Sequence, residues 1–173
     1  YFLVWTTTPW TLPSNVALAI NPAFTYVRAR RPDDENIYIL VRERVDAVLG
    51  KGAEILSAVK GEELVGMAYE QLLPFIKLED QAAFHVYGAD FVSTEDGTGI
   101  VHIAPAFGED DYRLGQEYNL PVLQPVNKEG KFTPEITPWA GQFVRDADDE
   151  ITEHLKEEGK LFRKERITHS YPY

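Results

Sequence analysis

Proline and glycine cut this chain into short pieces. Eleven prolines and twelve glycines interrupt the apolar runs before any of them grows long. Strands are therefore the economical reading of most runs, because a strand needs only about 5–6 residues whereas a stable helix needs more. Residues 16–20 form such a run, closed by Asn21-Pro22. Residues 25–30 alternate as a strand with one wet face, residues 31–36 turn, and residues 37–41 return as the hairpin partner. Val45, Val48 and Leu49 recur at helical spacing before Gly50, and residues 54–59 resume a strand. Residues 61–75 read as a loop with one helical turn. Residues 84–87, 91–92, 99–105 and 122–126 read as further strands, and residues 161–168 as a last one. Helices are expected at 108–118, where acids occupy the first turn, and at 146–158, with Asp146 as cap and Gly159 beyond the end. Many short strands and few helices predict a mainly β fold around a closed or distorted barrel, which leaves fewer exposed edges.

A chain of 173 residues with 44% hydrophobic content is long enough for one domain with its own core. It begins at Tyr1 inside an expected strand, and both ends read as strands, as in a module inserted into a larger host. No apolar run reaches membrane-span length. There is no cysteine, and His85, His102, His154 and His169 lack paired ligand spacing, so neither a disulfide framework nor a metal site is expected. A net charge of −11 argues against a free-standing nucleic-acid binder, since phosphate neutralisation supplies most of that affinity.

Polarity concentrates at two places. The run Tyr1-Phe2-Leu3-Val4-Trp5 suits a half-buried strand, and Thr6, Thr7 and Thr8 then place three hydroxyls side by side. Pro9 and Pro13 end the strand by removing backbone donors, giving a stiff, hydroxyl-lined bend that also holds Trp10 and Asn15. Far along the chain, Gly97-Thr98-Gly99 permits close backbone approach, His102 ends the next strand, and Asp110 and Asp111 open a helix. Strand–loop–helix junctions of this kind gather polar groups around ligands. Each residue has a plain reading as well: threonines favour strands, a lone histidine fits a hydrogen-bonded core, and acids favour helix starts.

Taken together, these segments resemble a known family. The stretch from Trp5 to Asn15, Trp5-Thr6-Thr7-Thr8-Pro9-Trp10-Thr11-Leu12-Pro13-Ser14-Asn15, is similar to the threonine-rich signature of the editing domain of isoleucyl-tRNA synthetases. The stretch from Gly97 to Tyr112, with His102 and Asp111, is similar to that domain's second signature, and His169-Ser170-Tyr171-Pro172 resembles the point where the chain rejoins the catalytic domain. The valyl- and leucyl-specific sisters carry Arg-Pro in place of Thr8-Pro9 and lack the histidine. The two ATP-site signatures of the catalytic domain are missing.

The resemblance implies a class I editing-domain fold spanning residues 1–173 as a single unit cut from a cytoplasmic synthetase. The fragment would hydrolyse the ester of valine mischarged onto isoleucine tRNA, without ligase activity, cofactor or metal. Thr6, Thr7, Thr8 and Asp111 would carry catalysis, with Asp111 holding the substrate's α-ammonium. Trp10, Asn15 and His102 would bind substrate, His102 and Trp10 bounding the side-chain pocket. The implied partners are the 3′ end of mischarged tRNA, valine or valyl-adenylate, and the parent catalytic domain, with the fragment monomeric. A sister editing domain with another substrate, or a non-catalytic β module binding a small molecule, are the competing readings.

Overall fold

The computed structural model describes residues 1–165. Six strands form two three-stranded sheets. In the first, β1 (Ala17–Ile20) lies between β5 (His85–Gly88), which runs parallel to it, and β6 (Ile100–Ile103), which runs antiparallel. All four β1 residues are buried, and the two faces of the strand enter different apolar clusters. Leu18 and Ile20 pack with Tyr26, Val86 and Ile100, while Ala17 and Ala19 pack with Ile103 and Leu114. This explains why the sequence there is continuous rather than alternating: both sides are inside. In the second sheet, β2 (Thr25–Arg30) lies between β3 (Tyr38–Val41) and β4 (Glu54–Lys60), both antiparallel.

The N-terminal segment ties the sheets together. Phe2 makes a parallel bridge to Ile39 of β3, and Trp5 makes one to Val101 of β6. The β3 end also meets the β6 approach, with Val41 N–H donating to the Thr98 carbonyl at 2.8 Å. Tyr1–Trp5 is thus not the continuous strand expected from its side chains; it pairs only where a neighbour comes within reach. The sheets do not close into a barrel among the described residues. Strand β4 pairs with β2 alone, and the far side of β5 carries a single bridge, Ala68 to His85.

Helix is as prominent as strand, which corrects the mainly β expectation. The α-helices are α1 (Val45–Leu49), α2 (Gly61–Leu64), α3 (Glu109–Glu117) and α4 (Asp148–Glu157), with 3-10 turns at Pro9–Ser14, Arg42–Arg44, Thr137–Trp139 and Val144–Ala147. Gly50 at φ +91° ends α1, and Gly159 at φ +71° follows α4, as glycine does after a helix. The cap of α4 is Ala147, not Asp146, because a 3-10 turn fills residues 144–147 and moves the start inward. Residues 91–92 and 122–126 are not strands. Pro121 and Pro125 remove ladder donors from the latter, leaving one bridge from Val126 to Phe132. Residues 161–165 are irregular; the rest of the expected last strand, and His169-Ser170-Tyr171-Pro172, lie outside the described residues. Trp139, Ile151 and Leu155 build a separate cluster that takes in Leu12 and so fixes the threonine turn against α4.

Candidate functional site

The parallel bridge between Trp5 and Val101 sets the site. Because the two segments advance together, the threonines that follow Trp5 arrive beside His102, which follows Val101. Opposite His102 on β1 stands Leu18. The chain then enters the Pro9–Ser14 turn, where Pro9 takes the first helical position and Pro13 lies inside. After β6, Ala104-Pro105 bends the chain into α3, whose first turn carries Asp111.

The two polar segments share one cavity of about 240 Å³, lined by Thr6, Thr7, Thr8 and Thr11 together with His102, Phe107, Asp111 and neighbouring residues. Asn15 is buried and does not line it; its amide is consumed within the protein. Trp10 does not line it either, and stands behind Phe107, the two rings meeting edge-on with centroids 5.0 Å apart.

Hydrogen bonds connect the threonines to the histidine. Thr8 N–H donates to Thr6 Oγ1 at 3.1 Å, Thr8 Oγ1 lies 3.0 Å from Thr11 Oγ1, and Thr11 Oγ1–H donates to the Thr8 carbonyl at 2.9 Å. Thr11 Oγ1 is also 2.9 Å from His102 Nε2, and Asn15 Nδ2 is 2.8 Å from His102 Nδ1. His102 is only 7% exposed. Burial pushes its pKa down to about 4, so the ring is neutral at physiological pH. Neither ring nitrogen is free to take a proton from a ligand, since both already have partners. The histidine shapes a wall; it is not a general base.

Asp111 has the opposite character. Burial pushes its carboxyl above the usual carboxylate range, opposed by the Ala104 N–H, which donates to Oδ2 at 2.9 Å, and by its own N–H. The side chain folds back over Gly108, where an added Cβ would come within 2.8 Å of Oδ1. A half-buried carboxylate with no cation paired to it among the described residues is a natural seat for an ammonium group.

Three residues of the site escaped the sequence reading. Thr11 stands three positions after Thr8, the spacing a 3-10 turn brings together, so that signal was present. Asp148 accepts from Trp10 N–H and lies inside the helix expected at 146–158, where no local pattern distinguished it. Tyr69, whose hydroxyl donates to Asn15 Oδ1 at 2.5 Å, sits in a stretch without periodicity and gave none.

The fold matches the crystal structure of GlLeuRS-CP1 with a TM-score of 0.73 and 16% identity, covering 100% of this chain and 83% of that one. The P. knowlesi cytosolic leucyl-tRNA synthetase editing domain matches with a TM-score of 0.66 and 14% identity, over 92% of this chain and 82% of that one. The architecture is that of a synthetase CP1 editing domain. No family model matches the chain. The isoleucine–tRNA ligases of Clostridium acetobutylicum, Clostridium novyi and Bacillus thuringiensis are 52%, 51% and 49% identical to it over 173 residues. Over its whole length the chain is homologous to a part of the isoleucine–tRNA ligases, and it spans 16% of the length of these relatives.

Proposed function

We propose that residues 1–173 form a single editing domain that hydrolyses the ester linking valine to the 3′ end of isoleucine tRNA. The observation that carries the reading is the meeting of Thr6, Thr7 and Thr8 with Asp111 around one cavity of about 240 Å³. Asp111 holds the α-ammonium of the misattached valine, and the arriving cation offsets the burial that disfavours the carboxylate. The threonine hydroxyls orient the ester and the attacking water. Water adds to the ester carbonyl carbon, the bond to the ribose oxygen breaks, and that oxygen leaves with a proton, giving free valine and tRNA. His102 is spoken for on both nitrogens, so positioning and electrostatics carry the rate, with the neighbouring ribose hydroxyl of the substrate assisting proton transfer.

His102 and Phe107, backed by Trp10, bound the space for the amino-acid side chain. A methylene is worth only about 0.8 kcal/mol when buried, too little for a binding pocket alone to reject valine well. A second site that admits valine and excludes isoleucine by size removes the error, the arrangement for which this pair of amino acids is the standard illustration. The parent catalytic domain supplies the mischarged tRNA, and valyl-adenylate is a second substrate of the same cavity. The setting is the cytoplasm, and the fragment acts as a monomer.

A deacylation assay on valyl- and isoleucyl-tRNA tests the reading. The expected result is release of valine only. Loss of that release in Asp111→Ala, and attack on isoleucyl-tRNA by His102→Ala, are expected with it; hydrolysis of neither ester by the unaltered chain overturns it.

A further inference from the structure

The polar network does not stop at His102. Behind it, the Asn15 amide uses every group it has. Its Nδ2 donates to the Ala17 carbonyl at 3.0 Å and to His102 Nδ1 at 2.8 Å, while its Oδ1 accepts from the Tyr69 hydroxyl. The Ala17 carbonyl can only accept, so it opposes turning the amide over, which would set two acceptors face to face, but a single contact of this kind does not fix the amide alone. Burial keeps the Tyr69 phenol protonated, so it remains a donor and holds Oδ1 on the other side.

These constraints fix the tautomer of the histidine. His102 Nδ1 accepts from Asn15, so the neutral ring carries its proton on Nε2 and donates to Thr11 Oγ1. With that lone pair of Thr11 taken, its own proton is directed to the Thr8 side, where the Thr8 carbonyl lies at 2.9 Å and Thr8 Oγ1 at 3.0 Å. Thr8 Oγ1, 3.4 Å from Thr6 Oγ1, continues the hydroxyl chain toward the cavity.

Tyr69 reaches this position at a cost. Phe84 adopts φ +61°, a left-handed conformation that is uncommon for an aromatic residue. Its carbonyl accepts from Tyr69 N–H at 3.0 Å, and the two rings meet edge-on with centroids 5.9 Å apart. Strain of this kind persists where surroundings demand it, and here it seats the tyrosine.

We infer that Tyr69 is a positioning residue which, through Asn15, locks His102 in its Nε2–H tautomer and so orients the Thr11 and Thr8 hydroxyls for the reaction. The inference rests on the hydrolytic reading above for the last clause only. The test is long-range ¹H–¹⁵N correlation of the His102 ring in the 173-residue chain, with valyl-tRNA deacylation followed in parallel. The unaltered chain shows a single Nε2–H tautomer at neutral pH. Tyr69→Phe, which removes one hydroxyl, gives a mixture of tautomers and about a tenfold fall in kcat at unchanged KM, the scale at which outer-shell partners usually act. If Tyr69→Phe does not fold, Asn15→Asp replaces the donor facing Nδ1 with an acceptor and moves the proton to Nδ1. A proton on Nδ1 in the unaltered chain overturns the inference. So does a Tyr69→Phe variant that changes the tautomer without kcat or kcat without the tautomer. Absence of any deacylation by the unaltered chain counts against the hydrolytic reading instead, and the ring spectra still decide the lock.

Discussion

The backbone N–H of Trp10 donates to Asp148 Oδ1 at 2.9 Å, joining the threonine turn to the first turn of α4. Burial raises the Asp148 carboxyl pKa, so what this place favours is the acceptor oxygen more than the charge. Asp148→Ala strands the Trp10 donor and should cost about 1 kcal/mol. Asp148→Asn keeps an acceptor and should recover most of it. Urea midpoints at neutral pH separate the two.

Asp111 should show stability and activity pulling apart. Its folded pKa is raised by burial, so folding favours the protonated form. Its contribution is present below the unfolded value and is lost as pH rises through the folded one. At neutral pH the ionised carboxylate is a burden, and Asp111→Asn should raise the urea midpoint while valyl-tRNA deacylation falls at least tenfold, the charge-assisted bond being gone. A midpoint that drops would mean the carboxylate serves the fold.

His102 works in the other direction. Its folded pKa is depressed to about 4 from an ordinary 6.5, so its contribution is present above the unfolded value and lost as pH falls through the folded one. Stability should decline on acidification between these values, and His102→Gln should flatten that part of the curve. Chemical denaturation at a series of pH values is the measurement.

Gly99 should tolerate no side chain. It has φ +77°, and an added Cβ would lie 2.4 Å from Val41 Cβ. That contact is where β3 meets the approach to β6, and Val41 N–H donates to the Thr98 carbonyl there. Gly99→Ala should therefore cost more than about 1 kcal/mol, from the positive φ and the collision together. Calorimetric melting of the variant checks it.

Where the sequence was informative, a local rule and the tertiary surroundings agreed. The hairpin of β2 and β3, the helix ended by Gly50, and the acidic start of α3 all follow from patterns a few residues long. Strand-like composition failed where pairing depends on a distant neighbour. Phe2 and Trp5 each find a partner on a different sheet, and residues 91–92 find none in a named strand. A closed barrel is not seen among the described residues, and closure depends on which edges meet, which no short pattern encodes. In the site, Thr6, Thr7, Thr8, His102 and Asp111 were legible as types and do share a cavity. Asn15 was legible as a motif residue, but its place one layer behind the wall depends on Ala17 and Tyr69, contacts that no spacing encodes.

Pro9 and Pro13 stiffen the turn that carries the hydroxyl wall. Each proline ring fixes one backbone angle in the unfolded chain as well as in the folded one, so much of the turn's freedom is already gone before anything docks. On the editing function proposed above, an incoming acylated end would meet a surface with little left to rearrange. The ordering that docking demands would then fall on the flexible guest rather than on its host.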